Sequence, residues 1–214
     1  MTNDERRANV ASRLRDIGHD FVARDLNDEQ LDELLAPIAE FARITSGAAR
    51  RERDLTNVDI STFKMVVPTV DNVARHQLFA DSFVSGNANP LGLGASLRRD
   101  GDVAVMDVTL GKAFEGAPGR AHGGVVAALL DETMGLVLAI HGKLAFTAQL
   151  DITYHAPTPV DEPLSARAWL ARGSHRKLFI EASVSASGVE VVTAKALFIA
   201  VDPSKFLEHL VTEP

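Results

Sequence analysis

Residues 122–135 read HGGVVAALLDETMG and continue through LVLAI to residue 140. Apolar residues fall on nearly every side of a helix drawn through this stretch, so it reads as a buried helix and not as a surface helix with one wet face. His141-Gly142 supplies a C-terminal stop. Two features interrupt the apolar surface. Gly123 and Gly124 at the start leave the first backbone N–H groups, and the positive end of the helix dipole, open to close approach by a ligand oxygen. Asp131 stands in the middle, with Ala127, Ala128 and Gly135 one turn away. A lone carboxylate there must be paired, hydrated or functional, because burying it otherwise is costly. Taken alone, a functional Asp131 and an Asp131 that merely reaches water or caps a neighbour are equally supported. Glu132, about 100° further round the helix, reads as the solvent or interface residue.

The flanks define the fold class. Phe146, Ala148, Leu150, Ile152 and Tyr154 alternate with Thr147, Gln149, Asp151, Thr153 and His155, the period of a half-buried strand, and Pro157 and Pro159 close it. Further strands are expected over 164–172, 177–186 and 189–201, with Ser187-Gly188 as a tight turn. Upstream, Leu91–Leu97 and Val103–Leu110 flank Asp100-Gly101, a hairpin signal, and GKAFEGAPGRA reads as a loop. Two strands, one buried helix and four strands make an α+β domain over 90–203, an antiparallel sheet wrapped around one helix. Residues 1–56 read as a helical extension, with Leu14, Ile17, Phe21, Leu31, Leu34, Ile38 and Phe41 mostly three or four apart, Asn27 as an N-cap and Gly47 as a stop. Acidic residues outnumber basic ones there, which favours an arm packed on the domain or on a partner subunit over a DNA reader. Residues 57–89 read as a connector with a short helix around Val73–Phe79, and 204–214 as a tail.

The composition narrows the chemistry further. At 214 residues, 46% hydrophobic and 24% charged, the chain can bury a substantial core. A formal net charge of −7 argues against a nucleic-acid partner, since phosphate neutralisation needs a basic face. The chain contains no cysteine, which excludes thiolate metal sites, disulfides and a cysteine nucleophile together. The first residues lack the apolar core of a secretory signal, and no apolar run is free enough of charge to suggest a membrane span, so a cytoplasmic protein without a membrane partner is expected.

Geometry adds a condition on any site using both helix features. His122 and Asp131 are nine residues apart, about 13 Å of rise and half a turn out of phase. They cannot meet on one ligand within one chain, so a shared site takes its glycine-rich helix start from one subunit and its carboxylate from another. A homodimer is then a condition of activity, with a tetramer left open.

The loop FEGAPGRAHGG, the helix with Asp131, the strand FTAQLDITYHAPTP, the segment SHRKLFIEASV and the final strand together resemble the hotdog-fold acyl-CoA thioesterases, in particular the PaaI-like branch of the 4-hydroxybenzoyl-CoA thioesterase-like superfamily. The resemblance implies hydrolysis of an acyl-CoA thioester, with no metal or redox cofactor and with coenzyme A entering only as part of the substrate. It implies that His122 and the Gly123 amide polarise the thioester carbonyl, that Asp131 is nucleophile or general base, and that Thr147 orients the attacking water. Some relatives carry an asparagine six residues before the histidine; that position here is Gly116. For the coenzyme A phosphates, Arg172, His175, Arg176 and Lys177 cluster at one turn, Arg120 precedes the helix, and Gly124 adds a backbone amide. Two alternatives stand beside this reading. A hotdog hydratase would use an Asp-x4-His pair, a spacing met by Asp71 and His76, and a non-catalytic acyl-CoA sensor would bind without turnover.

Overall fold

The computed structural model describes residues 1–51 and 80–202. The short helix expected at 73–79, the Asp71–His76 pair and the 204–214 tail lie outside them. Two N-terminal helices, α1 (Asn3–Ala23) and α2 (Asp28–Ser46), precede β1 (Ser96–Asp100) and β2 (Val103–Thr109). A 3-10 turn at Lys112–Phe114 leads through β3 (Glu115–Ala117) and β4 (Arg120–Ala121) into α3 (Gly123–Ile140). The strands β5 (Ala145–Tyr154), β6 (Pro163–Ser174), β7 (Lys177–Ala186) and β8 (Val189–Ala200) follow. Six strands form one antiparallel sheet in the order β1-β2-β6-β7-β8-β5, and α3 packs on β2, β5, β6 and β7. This is the hotdog architecture.

The sheet holds α3 closely because of which residues meet in register. Ala104 pairs with Ala168, Ala168 with Ala182 and Ala182 with Ala194, so a row of buried alanines crosses four strands. The row is a shallow trough. Larger residues flank it, with Met106, Val184 and Val192 to one side and Ile180 to the other, and against these the fully buried Val126, Leu129, Leu130, Met134 and Val137 of α3 pack. α3 is long and apolar enough by length and composition to cross a membrane, contrary to the expectation above, but its apolar faces are spent on this core.

Three elements differ from the sequence reading. The strand expected at Leu91–Leu97 begins only at Ser96, because Leu93 and Ala95 donate their N–H groups to the carbonyls of Phe83 and Val84 and not to a strand. The hairpin turn falls one residue later than the Asp100-Gly101 signal, on Gly101-Asp102, with Gly101 in the left-handed region at φ 61°. The loop before α3 contains the small β3–β4 hairpin.

In the arm, Asn27 caps α2 through a capping box with Gln30, and Gly47 ends it. α1 docks on the domain. Ala11 is buried, Arg15 donates to the carbonyls of Asn87 and Asn89, and His19 accepts from Ala113 N–H and meets the Phe114 ring edge-on. α2 buries no residue, and Leu35, Ile38, Phe41 and Ile44 face outward.

The alanine trough is directly testable. Ala182→Leu forces extra carbons between sheet and helix and should cost about 1–3 kcal/mol or more of unfolding free energy. Lys195→Ala on the opposite face breaks only an exposed ion pair with Glu181, and should stay within roughly 1 kcal/mol. Urea denaturation of both variants reads the difference.

Candidate active site

The start of α3 is built by its neighbours. His122 is the N-cap, and its Nδ1 accepts from Gly124 N–H at 3.0 Å. Its own N–H donates to Phe114 O at 2.8 Å, while Ala121 N–H donates to Thr158 O. Gly116 lies so close that a Cβ there would come within 2.8 Å of His122 Cα. A side chain at this position would therefore require the helix start to shift. Tyr154, at the far end of β5, donates its hydroxyl to Gly123 O at 2.7 Å. No sequence signal announced that contact.

Asp131 lies half-buried two and a half turns along α3, and Thr147 Oγ1 donates to its Oδ1 at 2.8 Å. A β-bulge makes that contact. Strict alternation sets Thr147 on the opposite face from Leu150, Ile152 and Tyr154, but the pairing slips between Thr147 and Gln149. Thr147 pairs with the buried Phe198, Leu150 with Ala196 and Ile152 with Ala194, so Thr147 shares the helix face with Leu150 and Ile152. Because the side-chain period of a strand is two residues, one extra residue at Ala148 exchanges the faces.

Asp131 and Thr147 open onto a cavity of about 360 Å³ between α3, the start of β5 and the end of β8, walled by Leu97, Leu136 and Phe198. A Cβ on Gly135 would meet nothing within 4 Å there. Glu132 is neither a free solvent residue nor an unassigned interface residue. Its Oε2 accepts from Ser82 Oγ at 2.9 Å and its Oε1 from Ser85 N–H at 3.1 Å, and all three residues line the same cavity.

The cationic candidates divide between two ends of the sheet. Arg172, His175, Arg176 and Lys177 stand together at the β6–β7 turn, two strands from the start of β5. There the Arg172 guanidinium stacks on Phe179 at 4.0 Å and Arg176 Nε donates to Ala200 O. Arg120 bridges to Pro159 beside the α3 N-terminus, at the other end. Within one chain, therefore, Asp131, Thr147 and the basic turn lie toward one end, and His122, Gly123, Gly124 and Arg120 toward the other. Among the described residues, no group of three or more His, Asp or Glu is arranged to hold a metal ion.

Residues 118–193 match the family model of the thioesterase superfamily. Acyl-coenzyme A thioesterase THEM4 of Mus musculus is 36% identical over 94 residues, which cover 43% of this chain and 40% of the relative. Acyl-coenzyme A thioesterase THEM5 of Homo sapiens is 33% identical over 86 residues, covering 40% of this chain and 35% of the relative. A crystal structure described as a thioesterase superfamily protein aligns with a TM-score of 0.74 at 26% identity, over 90% of each chain. The segment 118–193 is thus similar to the thioesterase superfamily, and it lies within the larger hotdog-fold domain formed by the six-stranded sheet and α3. The chain spans about two fifths of the length of these curated relatives.

Tyr154 gives the helix start its own spectroscopic probe. Partial burial raises its pKa above the usual 10.0, because the phenolate would be less well solvated than in water. The folded state therefore binds its proton more tightly than the unfolded chain, and the stability this adds is present below about pH 10 and lost as pH rises through the folded pKa. Tyr154 is the single tyrosine of the chain. Alkaline titration of phenolate absorbance should give one transition above the unfolded value, moving down when the protein is denatured.

Proposed function

We propose that this protein hydrolyses acyl-CoA thioesters to free acid and coenzyme A in a homodimer, with Asp131 as the catalytic carboxylate. The observation that carries this reading is the Thr147–Asp131 hydrogen bond on the wall of a cavity that Leu97, Leu136 and Phe198 also line. The Thr147 proton is donated to Oδ1, which leaves Oδ2 and the threonine lone pairs to hold a water by its two hydrogens. As general base, Asp131 takes one proton as the water oxygen attacks the thioester carbonyl. As nucleophile, it attacks the carbonyl itself and the water then opens the mixed anhydride. In either route the thiolate of coenzyme A leaves and is protonated. The names of the relatives, both acyl-coenzyme A thioesterases, support the substrate class.

The tetrahedral oxyanion needs donors, and the α3 N-terminus offers the Gly123 amide and His122. In the same chain these lie about 13 Å from Asp131 along the helix. The geometry of β5 supports a partner as their source. It is an edge strand of ten residues, exposed over most of its length, with Phe146 50% and Tyr154 48% exposed. Among the described residues β8 is its single neighbour in the sheet, and an edge strand of this length invites pairing. Thr147 and Tyr154 are separated by about 24 Å along the strand, but antiparallel pairing of two β5 strands about a central two-fold axis sets one chain's Thr147 roughly 5 Å across from the other's far end. The partner's Tyr154, Gly123 and Arg120 then face Asp131 and the basic turn. Arg172, His175, Arg176, Lys177 and the partner's Arg120 flank this composite site and are suited to the coenzyme A phosphates.

Asp131→Asn keeps the volume and removes the base or nucleophile, so kcat in a thiol-release assay should fall at least about a hundredfold with the fold intact. Near-normal kcat would take Asp131 out of the mechanism. The divided site has its own test in subunit mixing. Asp131→Asn chains combined with chains altered at both His122 and Gly123 should regain activity, approaching about a quarter of wild type after statistical exchange, because each mixed dimer rebuilds one site of two. Differently tagged chains verify the exchange, and verified mixed dimers that stay inactive would assign the oxyanion donors elsewhere.

A further inference from the structure

Glu132 sits next to Asp131 in sequence yet has no place in the chemistry above. Both of its carboxylate oxygens are engaged, one by the Ser82 hydroxyl and one by the Ser85 amide. Those residues belong to a strap, residues 80–95, that is closed on itself by Ala88 N–H to Ala80 O, Leu93 N–H to Phe83 O and Ala95 N–H to Val84 O. Val84 is buried in the core. The other side of the strap is held by the arm, since Arg15 of α1 donates to the carbonyls of both Asn87 and Asn89. The strap is therefore clamped between an α3 carboxylate and an α1 guanidinium. Its Ser82 and Ser85 wall the same cavity onto which Asp131 opens.

We propose that Glu132 is a positioning residue which, with Arg15, fixes this strap as a wall of the cavity and so limits the acyl group to a short or medium apolar one. This rests on the thioesterase reading. The cavity volume of about 360 Å³ is near the low end of the roughly 300–1,000 Å³ of small-molecule sites. Its apolar walls, Leu97, Leu136 and Phe198, suit hydrocarbon. Depth is set by how firmly the strap is held. A charge-assisted pair of hydrogen bonds to a half-buried carboxylate resists outward movement better than apolar contact alone. The N-terminal arm thereby acquires a role in selectivity without touching the substrate.

Gly135 supplies an opposing handle. Open space lies where its side chain would be, and leucine is a better helix former than glycine by about 1 kcal/mol. Gly135→Leu therefore adds carbons to the cavity from the helix side, with its Cβ clear of every neighbour.

The test is kcat/KM of the full-length protein over straight-chain acyl-CoAs from acetyl to palmitoyl. Glu132→Ala and Arg15→Ala should both raise the ratio of long-chain to short-chain kcat/KM, by about tenfold or more for Glu132→Ala. Glu132→Gln retains one acceptor oxygen and should give an intermediate ratio, while Gly135→Leu should lower the ratio below that of wild type. The change should reside mainly in KM for the long chains. A merely structural Glu132 would lower the melting temperature and scale all substrates alike, and that outcome overturns the inference, as does an unchanged profile in Gly135→Leu. Should Glu132→Ala fail to fold, Arg15→Ala and Gly135→Leu decide it by moving the ratio in opposite directions or not at all. A wild-type protein that hydrolyses none of the thioesters overturns the thioesterase reading itself, whereas wild-type turnover with unaltered variant profiles overturns only the role of the strap.

Discussion

A helix that is apolar on nearly every side must be enclosed, and enclosing α3 is the constraint on which the rest of this structure depends. One antiparallel sheet does most of it, and the transverse alanine row of Ala104, Ala168, Ala182 and Ala194 lets the helix settle close to the strands. Area buried this way is the main favourable term in folding, and it depends on contact without voids. The sheet cannot reach right round. Gly124, Ala127, Ala128, Asp131 and Gly135 lie on a side of α3 that is only partly covered. Fold and site are thus two consequences of one fact: the helix is enclosed except along the line of small residues that carries Asp131.

The carboxylate on that line is held by a defect in the sheet. Regular pairing would have turned Thr147 away from α3, and the bulge at Ala148 turns it back, at the end of the strand where β5 begins. Bulges concentrate at sheet edges and beside functional sites because an edge strand has only one partner to keep in register. Here the edge does both things, aiming Thr147 at Asp131 and leaving β5 with a single strand neighbour, β8, among the described residues.

Around this centre the contacts extend outward in a chain. Asp131 is adjoined by Glu132, Glu132 holds the strap at Ser82 and Ser85, and the strap is held in turn by Arg15. Each link is a side chain meeting backbone or hydroxyl groups of the strap. The arm is uneven in consequence. α1 is fastened to the domain at Arg15 and His19, whereas α2 presents its apolar residues outward.

Much of this is legible in the amino-acid sequence. The buried helix, its capping ends, the strands on either side and the odd carboxylate at Asp131 follow from periodicity, composition and turn residues, which act over a few neighbours and are written locally. The residues HGG and Asp131 also carried the family resemblance, so the fold class and the candidate site residues were named from the sequence. Other features belong to the tertiary structure alone. Thr147 faces Asp131 only because β5 slips by one residue against β8, and a register is a property of two strands and not of one. Glu132 reads as a surface residue until a strap fifty residues earlier in the chain arrives to donate to it. The separation of Arg120 from the basic β6–β7 turn is likewise invisible along the sequence, because which end of a sheet a turn occupies is decided by how every strand between them is paired.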